Sequence, residues 1–188
     1  MSQHKWGSLL IFAIIAAAVV VALKSVVGNA PWLSSPPHIN QLNKMEASGV
    51  PDFSLPTLIR DGEFSLESVK GKVILINFWA SWCNPCVQEF PSMLKLMERF
   101  KDDLVLVAVS TDETKEEAIR FAKTLNVQGA NVHLLWDPSR KLADQYGVQR
   151  IPESYVVGRD GKLIRKIVGV EDWAIPQSFE FFESLVKN

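Results

Sequence analysis

Two cysteines separated by two residues, Cys83 and Cys86, are the only cysteines in the chain of 188 residues. A pair at this spacing can form a reversible disulfide, bind a metal or form a local structural bridge. Zinc needs about four ligands, and His4, His38 and His133 all lie far from the pair in sequence. A bridge that closes so short a loop constrains little chain entropy. The pair therefore favours redox chemistry that uses the disulfide itself, with no metal and no cofactor.

The pair lies where a predicted strand passes into a predicted helix. Residues 73–78 form an apolar, β-branched run, and apolar residues recur at helical spacing from Val87 to Phe100. The free N–H groups and the positive dipole end of a helix that begins here favour a thiolate, which is the species that attacks disulfides. We therefore predict that Cys83 is the nucleophile and that Cys86, one turn later, is the resolving thiol.

Residues 77–86, followed by Glu89, Phe90 and Pro91, resemble the active-site segment of membrane-anchored, extracytoplasmic thioredoxin-like proteins of the TlpA, ResA and CcmG/DsbE type. The similarity covers roughly residues 50–170. It implies an α/β, thioredoxin-like fold and thiol:disulfide oxidoreductase activity. The expected downstream partner is a protein disulfide. Because net reduction in an oxidising compartment needs a continuous electron supply, a transmembrane thiol carrier is the expected upstream partner.

The resemblance assigns a third catalytic residue, Glu89, which lies three residues after Cys86. Thioredoxin itself usually has a buried aspartate at the position of Asn77, so the usual proton acceptor is absent. In the resembling family a glutamate at the position of Glu89 assists proton transfer. The alternative is that Glu89 is an exposed residue of the first helical turn, where the helix dipole favours a negative charge.

A second loop, residues 147–153, resembles the family's loop that carries a cis-proline opposite the active site. The resemblance implies a cis bond between Ile151 and Pro152, with the Ile151 backbone free to pair with an extended substrate. Glu153 after the proline resembles the CcmG/DsbE type, in which an acidic groove faces the target peptide, so an apocytochrome c is implied as a substrate. The alternative is a solvated carboxylate. Trp82 is expected to shield the disulfide at this groove.

The amino-terminal region predicts a membrane anchor. An unbroken apolar run from Leu9 to Leu23 would span about 22 Å as a helix, and the wider segment from Trp6 to Val27 about 33 Å, enough for a hydrocarbon core about 30 Å thick. A cleaved secretory signal is the alternative, because residues 28–30 include the small residues of a cleavage site. Pro31 follows them directly, however, and is expected to block cleavage. We predict an anchor at residues 1–28, a linker at 29–49 and the domain at 50–188.

Composition and element order set the remaining expectations. With 47% hydrophobic residues, 22% charged residues and a net charge of −1, the chain predicts a folded core and no nucleic-acid partner. The pattern predicts a hairpin, three strand–helix units, a second hairpin and a final helix. This order predicts a mixed central sheet flanked by helices. The strand and helix at residues 132–147 resemble the central insertion of the TlpA-like group. Helix caps are predicted at residues 110–112 and at Asp137.

Either interpretation of the amino-terminal region exports the domain. We therefore predict a single-pass protein of the bacterial cytoplasmic membrane, with the domain on the periplasmic or extracytoplasmic side. Three other functions remain open on the sequence. The first is a generic TlpA-like thiol reductase, which the resemblance fits equally well apart from Glu153. A copper-binding assembly factor would join the cysteines to His133, although such proteins usually space the cysteines by three residues. A peroxiredoxin is suggested by residues 51–55, but Ala80 stands where a threonine or serine should precede the reactive cysteine.

Overall fold

A computed structural model describes residues 17–22, 37–127 and 129–187. Residues 17–22 are helical, whereas the rest of the predicted anchor and the first part of the predicted linker lie outside the described residues. No helix among the described residues is both long and apolar enough to cross a membrane. The chain divides into two compact units, residues 1–40 and 41–188, and the site described below lies in the second.

The structure corrects the predicted linker. A helix, α1, covers Pro37–Ser48, and its Met45 is only 2% exposed because it packs into the core of the second unit, where Leu42 lies against the same cluster. Gln41 donates its side-chain amide to the Gln145 carbonyl. The folded region therefore begins before residue 50. A helix with so few apolar positions has little detectable periodicity in sequence.

The remaining elements follow in chain order: β1 (Ser54–Pro56), β2 (Glu63–Ser65), a 3₁₀ helix (Leu66–Val69), β3 (Val73–Trp79), α2 (Asn84–Arg99), β4 (Leu104–Ser110), α3 (Lys115–Thr124), β5 (Val132–Trp136), α4 (Lys141–Tyr146), β6 (Glu153–Val157), β7 (Leu163–Val168) and α5 (Pro176–Val186).

The main sheet has the order β5-β4-β3-β6-β7. Strands β3, β4 and β5 are parallel, while β6 is antiparallel to β3 and β7 is antiparallel to β6. Every residue of β3 and β4 is buried, because one core cluster covers each face of the sheet. The mixed sheet flanked by helices, predicted from the order of the elements, is confirmed.

The predicted amino-terminal hairpin is formed by β1 and β2. The chain after β1 continues along β5, where the Leu58 N–H donates to the Leu134 carbonyl at 2.8 Å. This pairing covers part of an edge that would otherwise leave backbone groups unpaired.

Two helix starts differ from the sequence prediction. Helix α3 begins at Lys115 because Thr114 accepts the Glu117 N–H, so residues 110–112 do not cap it. Asp137 does accept helical N–H groups, but from Leu142 and Ala143, and α4 begins at Lys141 rather than at Pro138. The side chain of Asp112 instead accepts hydrogen bonds from Ser81.

Candidate active site

The two cysteines form a disulfide at the amino terminus of α2. Cys83 is the N-cap residue, and its sulfur accepts the Cys86 N–H at 3.3 Å. Cys83 is 6% exposed, whereas Cys86 is fully buried. An incoming sulfur atom can therefore reach Cys83 more readily than Cys86. This difference supports Cys83 as the nucleophile and Cys86 as the resolving residue.

The chain between β3 and Cys83 is held by Asp112, which follows β4. Its buried carboxylate accepts the Ser81 N–H at 3.0 and 3.1 Å, the Ser81 hydroxyl at 2.7 Å and the Ser110 hydroxyl at 2.6 Å. Sequence reasoning missed this role because it assigned Asp112 to a helix cap. A detectable signal existed, since parallel neighbouring strands end at the same edge of a sheet and bring such residues together.

Glu89 is 1% exposed, so it is not the solvated residue that the alternative interpretation proposed. Its Oε1 accepts the Asn77 amide at 2.7 Å, and its Oε2 accepts the Glu171 N–H at 3.2 Å. Burial raises the pKa of Glu89 to about 7, although the hydrogen bonds from Glu171 and Asn77 oppose that rise. The carboxyl group can therefore exchange a proton near neutral pH, on the helix that carries Cys86.

The side chain of Asn77 joins three elements of the fold, β3, α2 and β6. Its amide nitrogen donates to Glu89 on α2 and to the Ser154 hydroxyl on β6, at 2.9 Å. Asn77 itself lies in β3 and is fully buried. The residue that stands where thioredoxin usually has an aspartate thus acts here as a hydrogen-bond donor to the buried glutamate.

The bond between Ile151 and Pro152 is cis, as the resemblance implied. The β3–β6 register pairs Phe78 with Glu153, so the preceding Pro152 lies beside the end of β3, close to where the cysteines follow. Ile151 packs against the core cluster that contains both cysteines. Its main-chain N–H and C=O form no hydrogen bond with another described residue, which leaves them available to an extended partner.

The expectation that Glu153 faces the groove is wrong. Glu153 is 1% exposed, and its carboxylate accepts the N–H groups of Gln149 at 3.1 Å and Arg150 at 3.2 Å. It also accepts the Tyr155 hydroxyl at 3.0 Å and pairs with the Lys166 ammonium at 2.8 Å. These donors hold the carboxylate inside the protein, so it neither faces a groove nor lies in solvent. Its bonds to the N–H groups of Gln149 and Arg150 order the loop before Pro152.

The two tryptophans near the disulfide have different environments. Trp79 is fully buried against Phe90 and Phe121, whereas Trp82 is 64% exposed. Trp82 therefore presents an exposed surface next to Cys83 in the chain. Val168 and Val170 are also exposed, on either side of Gly169, whose N–H donates to the Pro152 carbonyl at 2.9 Å. Sequence reasoning missed these two valines.

The residues suggested for a metal do not converge in the structure. His133 packs on the ring of Phe64 with centroids 4.3 Å apart, and burial, together with nearby Arg60, lowers the pKa of His133. Among residues 17–22, 37–127 and 129–187, no group of three or more His, Cys, Asp or Glu side chains could hold a metal ion. The structure therefore assigns His133 a packing role.

Comparison with known proteins matches residues 47–166 to the model of the AhpC/TSA family. The thioredoxin-like protein YneN of Bacillus subtilis is 35% identical over 147 residues, which cover 76% of this chain and 84% of that protein. The thiol-disulfide oxidoreductase ResA of the same organism is 33% identical over 125 residues, which cover 66% of this chain and 68% of ResA. A protein of known structure from Chlorobium tepidum, assigned as the thiol:disulfide interchange protein DsbE, aligns with a TM-score of 0.63 and 31% identity. The alignment covers 74% of this chain and 93% of that protein.

Proposed function

Because the chain belongs to the AhpC/TSA family and is a thioredoxin-like thiol:disulfide oxidoreductase, we propose that it reduces a disulfide of a partner protein outside the cytoplasmic membrane. The observation that carries this proposal is the unequal burial of the bonded sulfur pair, with Cys83 reachable and Cys86 enclosed. We propose Cys83, Cys86 and Glu89 as the catalytic residues, with Trp82, Ile151 and Pro152 forming the substrate groove.

In the reduced protein, the Cys83 thiolate attacks one sulfur of the partner's disulfide. A bond forms between these two sulfurs as the partner's own S–S bond breaks, and the departing partner sulfur takes up a proton. Cys86 then gives its proton to Glu89 and attacks the Cys83 sulfur, so the bond between Cys83 and the partner breaks and the second partner sulfur takes up the proton from Glu89. The partner leaves as a dithiol that has gained two electrons, and the protein is left with the Cys83–Cys86 disulfide.

Each cycle oxidises the protein, so a donor must return two electrons to the pair. In an oxidising compartment this donor has to draw on a reductant elsewhere, and a transmembrane thiol carrier meets that need. We therefore also propose that residues 1–28 anchor the chain in the membrane by a single pass. The thioredoxin-like domain, from about residue 41 onward, then lies on the periplasmic or extracytoplasmic side.

The proposed downstream substrate is the haem-attachment segment of an apocytochrome c, Cys-x-x-Cys-His, whose disulfide must be reduced before haem attaches. The similarity to the DsbE protein of Chlorobium tepidum supports this choice. The charge of Glu153 does not, because its carboxylate is enclosed. Recognition of such a segment must therefore depend on other groove residues.

A peroxidase function has no comparable support. Ala80 occupies the position where a hydroxyl would be needed three residues before the reactive cysteine. The bonded partner of Cys83 is Cys86 in the next turn, which is the arrangement for disulfide exchange.

Trapping in cells tests the proposal. The full-length Cys86→Ala protein should retain a nucleophile that cannot release its partner, so a partner should remain disulfide-linked to Cys83. The matched control is the double variant Cys83→Ser/Cys86→Ala, which should capture nothing. Equal capture by both variants would contradict the proposal. A captured apocytochrome c would establish the finer assignment, and another partner would replace it.

A further inference from the structure

An open cleft of about 270 Å³ borders Trp82, the residue that precedes the reactive cysteine. It is lined by Trp82, which precedes Cys83, by Arg140 at the start of α4, and by residues 148–151, which precede the cis-proline. Two of these lining residues, Trp82 and Ile151, also belong to the proposed substrate groove, so a partner segment bound at Cys83 would lie next to this cleft.

The charged side chains that line this cleft are both cationic. Arg140 and Arg150 are exposed, and within the described part of the chain neither guanidinium forms an ion pair or a hydrogen bond. No carboxylate lines the cleft. The nearest one along the loop, Glu153, is turned inward and neutralised by Lys166. The cleft thus has two positive charges without a partner in the structure.

Buried carboxylates hold the backbone that carries these arginines. Asp137 accepts the N–H groups of Leu142 and Ala143 in the first turn of α4, directly after Arg140. Glu153 accepts the N–H of Arg150 itself at 3.2 Å. Arg140 also has a left-handed backbone conformation, with φ of 56°. Residues other than glycine and asparagine seldom adopt this conformation. The backbone segments that carry the two arginines are therefore held in place at the cleft.

We propose that this cleft selects partner segments that carry an aspartate or glutamate close to the target cysteine. A guanidinium binds a carboxylate through two parallel hydrogen bonds, and the exposed face of Trp82 provides an apolar surface for the neighbouring residues. This inference rests on the proposed reductase function and adds its substrate class. It also reverses the preference for basic segments that an acidic groove would have produced.

Disulfide-bridged synthetic peptides test the inference with the reduced full-length protein. Three peptides differ only beside the target cysteine, with Asp, Asn or Lys at that position. Because exposed charge pairs are weak, we expect each arginine to change the rate constant by about five-fold. The Asp peptide should be reduced at least that much faster than the Lys peptide, and the ratio should fall as salt is raised from about 0.05 to 0.5 M.

Variants assign the effect to the cleft. In Arg140→Asn/Arg150→Gln, where asparagine suits the left-handed position, the Asp-to-Lys rate ratio should fall close to one. The control Arg120→Gln, an exposed arginine on α3 outside the cleft, should keep the ratio. Equal rates for the three peptides with unmodified protein, or an unchanged ratio in the double variant, would overturn the inference alone. Failure to reduce any peptide, while Cys83 is still alkylated, would overturn the proposed function and the inference with it.

Discussion

The amide nitrogen of Asn77 lies 2.7 Å from the carboxylate of Glu89, and both side chains are buried. This contact joins the central strand β3 to the helix that carries the cysteines. It also partly offsets the cost of enclosing an ionised carboxylate. A group with a pKa of about 7 in this position can both accept and return a proton during a redox cycle.

Replacing the two cysteines one at a time should have different effects. Cys83→Ser should abolish disulfide exchange, because the accessible sulfur is lost, whereas Cys86→Ala should keep a slow nucleophile that forms stable mixed disulfides. Alkylation of the reduced protein with iodoacetamide, followed by mass spectrometry, checks the assignment. Equal rates at the two cysteines in the wild type would contradict it.

Glu89 should make stability depend on pH. Its pKa is raised from 4.5 to about 7 in the folded protein, so the native state binds more protons than the unfolded state between these values. The contribution of Glu89 to the free energy of unfolding should therefore be fully present below about pH 4.5 and should be lost as pH rises through 7. For a shift of this size the loss is on the order of 3 kcal/mol.

Glu89→Gln removes the ionisation and should remove most of this dependence, as measured by urea unfolding of the oxidised protein at pH 5 and pH 8. The variant should also reduce disulfides more slowly, because the proposed proton acceptor of Cys86 is removed. Glu98→Gln, an exposed residue on the same helix, provides the control. If wild type and Glu89→Gln show the same pH dependence, Glu89 does not titrate in this range.

Asp112→Asn should loosen the turn before Cys83. The carboxylate accepts hydrogen bonds from two groups of Ser81, and an asparagine oxygen cannot accept all of them. We expect a loss of about 2 kcal/mol in the free energy of unfolding. Hydrogen exchange should show reduced protection of the Ser81 amide. The neighbouring exposed residue gives the control, Glu113→Gln, and unchanged Ser81 protection in Asp112→Asn would argue against the positioning role.

Glu153→Gln should act through stability and not through the choice of charged substrates. The change leaves Lys166, which is only 14% exposed at its side chain, without its ionic partner. Removing one member of such a pair costs on the order of 3 kcal/mol. The double variant Glu153→Gln/Lys166→Met should be less destabilised than the sum of the single variants, as a double-mutant cycle measures. A stable Glu153→Gln protein with altered charge selectivity would instead place the carboxylate in the groove.

The sequence by itself determined the parts of this protein that depend on local pattern. Strand β3 begins at the predicted Val73 and extends one residue beyond the predicted run, and β5 begins at residue 132 as predicted, because apolar runs define strands within a few positions. The position of Cys83 and Cys86 at a strand-to-helix junction was likewise determined by the local sequence pattern. The cis bond before Pro152 came from resemblance, since no local pattern distinguishes it.

Only the tertiary structure decided what surrounds each functional side chain. Glu89 is buried because it meets Asn77 and Glu171, which is 82 positions away in the chain. Glu153 turns inward because Lys166 on β7 and two loop amides receive it, and Asp112 holds a turn 31 residues earlier. A carboxylate's solvation and hydrogen bonds set whether it is acidic, basic or structural, and those partners come from distant strands that no local window contains.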